Sequence, residues 1–147
     1  MTKGDEVGVL VVDDEAADRS RIASALRAQG HPVLEATSYG DAMGVFDLNR
    51  DGIEFLITDL ALPDGNGCAL AVAIQKQKPD LRVLFISFRV GMNLCKYYGL
   101  KVPNLHFLLK PFASANLVKR VRTILNSVTP FPKLEIPKTF TSSGQGK

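Results

Sequence analysis

Short apolar runs, each cut off by a polar residue, alternate along this chain with stretches of helical period. Val7 to Val12 is nearly continuous in apolar residues and stops at Asp13 and Asp14, as a strand covered on both faces does. From Ala16 to Gln29 the period changes: Ile22, Ala25, Leu26 and Gln29 recur at helical spacing, and Gly30 supplies the left-handed residue that commonly ends a helix. Pro32 to Ala36 predicts a second strand. Ser38, with Asp41 three positions on, predicts a capping box opening a helix that carries Ala42, Val45, Phe46 and Leu48 and gives way to the turn Asn49 to Gly52. Ile53 to Thr58 is a third apolar run, stopping at Asp59. The cluster Pro63, Asp64, Gly65, Asn66 and Gly67 predicts a loop with its glycines as turn formers. A helix from about Cys68 to Lys76, a strand over Leu81 to Ser87, a short helix around Met92 to Tyr98 and a strand over Leu105 to Leu109 complete the alternation. Ser114 predicts the cap of a last helix, with Leu117, Val118, Val121, Ile124 and Leu125 on one face and Lys119, Arg120 and Arg122 toward water.

Strands alternating with helices imply right-handed crossovers, hence a doubly wound α/β fold: five parallel strands with helices on both faces, over residues 7–127. Residues 128–147 contain Pro130, Pro132 and Pro137 and finish Thr-Ser-Ser-Gly-Gln-Gly-Lys, the composition of a linker or a disordered tail. A length of 147 residues bounds the chain to one domain with tails. Hydrophobic residues at 46% and charged residues at 22% exclude collagen, coiled coil and wholesale disorder. Cys68 and Cys95 stand far apart with no metal-ligand spacing, so two reduced structural thiols are expected. No apolar run reaches the ~18 residues of a membrane span and the start lacks the apolar stretch of a signal peptide, so a cytoplasmic protein without membrane insertion is expected. The net charge of +3 is dispersed, with Lys133, Lys138 and Lys147 in the tail. No groove-reading motif can be placed, so no direct nucleic-acid binding is expected of this chain.

In open parallel sheets ligands bind beyond the carboxyl ends of the strands, where the strand order reverses. The candidate chemistry therefore lies in the residues at those ends: Asp13 and Asp14 after the first strand, Asp59 after the third, Ser87 ending the fourth, and Lys110 with Pro111 after the fifth. Carboxylates brought together there repel, at about 4 kcal/mol for two unit charges 4 Å apart and an effective dielectric near 20, so a cation must offset them. Mg²⁺ suits a site with few carboxylates that leaves room for water and phosphate oxygens, and Mn²⁺ could substitute. Lys110 adds a mobile positive charge, and the Ser87 hydroxyl can donate to a phosphate oxygen. A carboxylate nucleophile forms an acyl phosphate, and Asp59, alone after its strand, is the candidate acceptor, leaving Asp13 and Asp14 to hold the metal.

Val-Leu-Val-Val-Asp-Asp-Glu (Val9 to Glu15), Thr-Asp-Leu-Ala-Leu-Pro-Asp-Gly-Asn-Gly (Thr58 to Gly67) and Leu-Lys-Pro-Phe (Leu109 to Phe112) resemble the receiver domain of two-component response regulators over about Val7 to Ser127. The runs ending at Ser87 and at Phe112 are similar to receivers attached to hybrid sensor histidine kinases. The resemblance implies a flavodoxin-like (βα)5 domain of strand order 2-1-3-4-5. It also implies Mg²⁺ on Asp13, Asp14, Asp59 and the Ala61 backbone carbonyl, and transfer to Asp59 from the phosphohistidine of a sensor histidine kinase or a histidine phosphotransfer domain. Lys110 would contact the phosphoryl group, with a cis bond to Pro111. Ser87 and Phe107 would form a switch pair that changes the surface of the fourth helix, fifth strand and fifth helix, a surface also suited to a homodimer. Such a domain catalyses its own phosphorylation and dephosphorylation without being a classical enzyme.

Two departures accompany the resemblance. Phe88 stands where a small residue usually comes after the hydroxyl, with Arg89 next, which restricts the approach to the acceptor. Val90 to Asn104 lacks the usual alanine-rich helix. The competing functions are a receiver-like scaffold that binds partners without phosphorylation, against which the full acidic set and Lys110 count, and an aspartyl phosphohydrolase, which would want Asp-x-Asp where the aspartates here are adjacent. His31 and His106 have no partner at ligand spacing and are assigned surface or packing roles.

Overall fold

The computed structural model describes residues 6–88, 102–127 and 133–134. Five strands, β1 (Val9–Val12), β2 (Val33–Ala36), β3 (Phe55–Asp59), β4 (Arg82–Ser87) and β5 (Phe107–Leu109), form one parallel sheet in the order β2-β1-β3-β4-β5. That is the predicted doubly wound topology. Helices α1 (Ala16–Ala28), α2 (Tyr39–Leu48) and α3 (Gly67–Gln77) come after the first three strands, and a C-terminal helix spans Ser114–Leu125. The helix predicted around Met92 to Tyr98, together with Arg89 and Cys95, lies outside the described residues.

The all-apolar strands are explained by two cores. On one face Val9, Val11, Phe55, Ile57, Leu84 and Ile86 pack against Ile22 and Leu26 of α1 and Leu117, Val121 and Ile124 of the C-terminal helix. On the other, Leu10, Val12, Leu56, Val83 and Phe85 pack against Phe46 of α2 and Leu70, Ala71 and Ile74 of α3. Successive side chains of a strand point to opposite faces, so these two sets alternate residue by residue.

Local rules largely account for the element ends. Gly30 sits at φ +93°, and the N–H groups of Gly30 and His31 donate to Arg27 O and Leu26 O, a Schellman closure of α1. Ser38 Oγ accepts from Asp41 N at 3.0 Å, but Asp41 turns its carboxylate to Thr37 N rather than to Ser38, so the capping box is only half formed. Ser114 is the first helical residue and caps nothing; Ala113 precedes it. Leu48 is 86% exposed, because at 100° per residue it lies roughly 140° round α2 from the Ala42 and Phe46 stripe. Arg120 does not face open water but donates to the carbonyls of Leu105 and Phe107 in and after the 3-10 turn Asn104–His106. Both histidines are buried in packing positions, His31 accepting from Val7 N and His106 Nδ1 lying against Val83 O.

Two findings alter the expectations for the cysteines and the tail. Cys68 is fully buried at the start of α3 and disulfide-bonded, not a reduced thiol. Leu134, in the segment predicted as linker or disordered tail, is 4% exposed within the α2/α3 core, and its N–H donates to Gln75 Oε1 at 2.5 Å.

Candidate functional site

Strand parity brings the charged residues together. Asp13 continues the Val9, Val11 series, Asp59 the Phe55, Ile57 series and Lys110 the Leu108 position, all on the face that α1 and the C-terminal helix cover. β1 and β3 are adjacent where the chain's direction of winding reverses, so Asp13 and Asp59 meet at the switch point of the sheet. The parallel ladder is continued past the strand ends by Asp13 N to Ala36 O, Leu60 N to Ile86 O and Lys110 N to Ser87 O.

Lys110 Nζ donates to Asp59 Oδ2 at 2.7 Å and to Asp13 Oδ2 at 3.0 Å, from a side chain only 4% exposed. One oxygen from each of Asp13, Asp14 and Asp59 lies within 4.8 Å of the others. Asp13 is buried and also accepts from Glu15 N at 2.9 Å, Asp59 is partly buried and accepts from Ala61 N at 3.1 Å, and Asp14 is exposed. The bond from Lys110 to Pro111 is cis. Burial pushes the Asp13 carboxyl above the usual carboxylate range, more than its hydrogen bonds to Glu15 and Lys110 pull it down. For Lys110 burial alone would lower the ammonium, yet the combined pull of Asp59 and Asp13 outweighs it and raises Lys110 well above the ordinary lysine range. Lys110 is therefore a fixed cation.

A cavity of about 560 Å³ opens over this cluster, with Asp14, Asp18, Asp59, Ser87, Phe88 and Lys110 in its lining. Ser87 is in place, with its hydroxyl donating to Phe88 O at 2.8 Å. Ala61 lines the same cavity. Phe88 is 60% exposed, with Lys110 Nζ 5.8 Å from its ring centre. Phe107 lies on the opposite face of the sheet, in register with Phe85 and stacked on it at 5.4 Å. Gly67, predicted as a turn former, has no positive φ. Its lack of a side chain answers a close approach instead, since a Cβ there would lie 2.4 Å from Asp59 O.

Asp18 is a site residue that reasoning from strand ends does not find. Its Oδ2 is 3.2 Å from Lys110 Nζ. A signal for it was present: Asp18 stands four residues before Ile22 and eight before Leu26, on the buried stripe of α1.

The acidic donors are carboxylate oxygens within reach of one centre, and their charge exceeds what Lys110 neutralises. That chemistry fits a hard divalent cation and phosphoryl oxygens better than a soft metal. A family model described as the response regulator receiver domain matches residues 9–122. The DNA-binding transcriptional regulator NtrC of Azospirillum brasilense is 34% identical over 123 residues, which cover 83% of this chain and 25% of that protein. The aerobic respiration control protein ArcA of Escherichia coli strain K12 is 30% identical over 118 residues, covering 80% of this chain and 48% of ArcA. The chain thus spans between a quarter and about half the length of such curated relatives. Among solved structures, the receiver domain from the hybrid histidine kinase CckA is 32% identical, with a TM-score of 0.65 over 81% of this chain and 99% of that one. The non-phosphorylated HemR receiver domain from Leptospira biflexa, at 23% identity and a TM-score of 0.69 over 86% of this chain and 99% of that one, shows the same fold. Matched through every element from β1 into the C-terminal helix, the chain belongs to the response regulator receiver domain family.

Proposed function

We propose that this receiver is a phosphorylation-dependent signalling switch in which Asp59 accepts a phosphoryl group from a phosphohistidine on a sensor histidine kinase or a histidine phosphotransfer domain. The observation that carries this reading is the convergence of Lys110 on Asp13 and Asp59, beside Asp14 and under an open cavity. A carboxylate oxygen of Asp59 attacks phosphorus, and an O–P bond forms as the N–P bond breaks. The imidazole leaves with the bonding electron pair and takes up a proton. Asp13, Asp14 and Asp59, with the Ala61 carbonyl, would hold Mg²⁺, or Mn²⁺ in its place, and the bound ion would neutralise charge on the transferring oxygens.

Lys110, already charged and buried, offers an N–H to a phosphoryl oxygen once it leaves a carboxylate. Ser87 has only to release Phe88 O to donate to the same group, and Phe107 then repacks against Phe85 to alter the surface around β5. Water later hydrolyses the acyl phosphate and resets the switch. The receiver proper occupies residues 7–127, and a homodimer through the altered surface is one readout of the phosphorylated state. No helix among the described residues is long and apolar enough to cross a membrane.

The test is intact-mass measurement after incubation with acetyl phosphate and Mg²⁺. One phosphate is expected on the wild-type chain and none on Asp59→Asn or in the presence of EDTA. An unchanged mass in all three would refute the switch and leave the non-phosphorylated scaffold.

A further inference from the structure

The buried stripe of α1 descends through Leu26 and Ile22 and arrives, one turn earlier, at Asp18. An acid in the first turn of a helix favours the helix dipole from any side of the helix, so the dipole does not explain why this one occupies the stripe that faces the sheet. What it meets there is Lys110, with Oδ2 3.2 Å from Nζ and the side chain 29% exposed. Its other oxygen lies 3.6 Å from the Arg21 guanidinium. Arg21 in turn donates to Phe112 O at 2.6 Å and covers the Phe112 ring at 4.5 Å. Asp18 is thus held from behind by a residue fastened to the segment directly after Lys110 and Pro111.

We infer that Asp18 is a positioning residue that restrains Lys110 in the unphosphorylated protein and so slows the uptake of phosphate by Asp59. The inference rests on Asp59 being the acceptor. Two hydrogen bonds tie the ammonium to Asp13 and Asp59, and Asp18 sets a third negative charge against it. A phosphoryl oxygen must draw the ammonium toward itself, and it competes with Asp18 as well as with the carboxylates of the site. Replacing Asp18 by asparagine keeps the shape and an acceptor oxygen but removes the negative charge that makes it a strong competitor.

The experiment tracks phosphate incorporation from acetyl phosphate at saturating Mg²⁺, so that a change in metal affinity does not enter the rate. Asp18→Asn is expected to react faster by about two- to fivefold, the range that a partly exposed ion pair supports, and Asp18→Glu to stay near wild type. The same substitution in a Lys110→Ala background separates restraint of Lys110 from a general field effect, because the gain must vanish there. An equal gain in both backgrounds, or none in the first, overturns the inference. A second readout needs neither phosphate nor the double variant: ¹⁵N relaxation of the Lys110 ammonium is expected to show greater mobility in Asp18→Asn, and unchanged mobility also overturns it. Failure of the wild-type chain to take up phosphate would instead sink the reading of Asp59, while the relaxation measurement still decides whether Asp18 restrains Lys110.

Discussion

Replacing Lys110 by methionine removes the cation that separates Asp13 from Asp59 while nearly keeping the volume of the side chain. The lysine is 4% exposed, Asp13 1% and Asp59 12%, so what remains is a pair of carboxylates with little water to replace the lost ammonium. Leaving a buried charge without its partner typically costs 3–5 kcal/mol, and the partial exposure of Asp59 reduces this to about 2–4 kcal/mol at neutral pH. For a domain of this size that is a fall in Tm on the order of 10 °C.

The sign of the pH dependence is fixed by which protonation state the variant prefers. Burial already raises Asp13 above its unfolded value, and loss of Lys110 raises it further. The folded variant therefore binds a proton that the unfolded chain has released, so its stability is present below the unfolded carboxylate range and is lost as pH rises through the raised folded value. Urea unfolding monitored by far-UV circular dichroism suits a chain without tryptophan. The deficit should be largest at pH 7.5 in EDTA and shrink on acidification toward pH 5. Mg²⁺, which stabilises each protein by about 2.7 kcal/mol at a hundredfold excess over its own Kd, should narrow the deficit at a fixed concentration as far as loss of the lysine charge tightens its binding. A deficit under about 0.5 kcal/mol, indifferent to pH and to Mg²⁺, would show that the acidic cluster is well hydrated and refute the reasoning.

Both histidines are held below their ordinary range, chiefly by burial, so the unfolded chain protonates first and stability is lost as pH falls through about 6.5, by up to roughly 1.4 kcal/mol per pH unit for each. His31→Asn and His106→Asn, whose amides replace the Nδ1 acceptor and donor, should each flatten the decline in urea midpoints between pH 7 and 5.5. Gly67→Ala would press a methyl into the backbone beneath the acceptor, costing about 1–3 kcal/mol and slowing phosphorylation. Gly44→Ala in α2 meets nothing within 4 Å and should stabilise by about 0.5–1 kcal/mol in the same melts. Leu134→Ala should destabilise by about 2 kcal/mol, whereas a tail that is only a linker would show no change in its unfolding midpoint.

The residues that sequence placed well are those for which direction alone decides position. A strand has two faces and one carboxyl end, so once the five apolar runs are recognised Asp13, Asp59 and Lys110 have only one place to meet, and Asp14 comes with its neighbour. Ser87 is found by the carboxyl-end rule alone, since its parity sets it with Val83 and Phe85 on the other face, from which it still lines the cavity. The residues that escaped are those whose position depends on how far a side chain reaches or how a helix is rotated about its axis. Arg120 looks solvated by period, but its long stem carries the guanidinium back to the carbonyls of Leu105 and Phe107, and no periodicity encodes that reach. Leu134 sits among prolines, where composition argues for an unpacked tail and one buried leucine is too little signal to overturn it.

Asp18 is the more instructive case, because its phase was available. The spacing to Ile22 and Leu26 places it on the sheet-facing stripe, where a lone carboxylate demands a partner, and among the described residues the cation that the topology sends to that edge from the strands is Lys110. A charged residue in register with a buried stripe is therefore evidence for a second charge facing it across the layer. Here it enlarges the acidic set around Lys110 from the carboxylates at the strand ends to one that includes the first turn of α1, which links the restraint on the lysine to the packing of that helix.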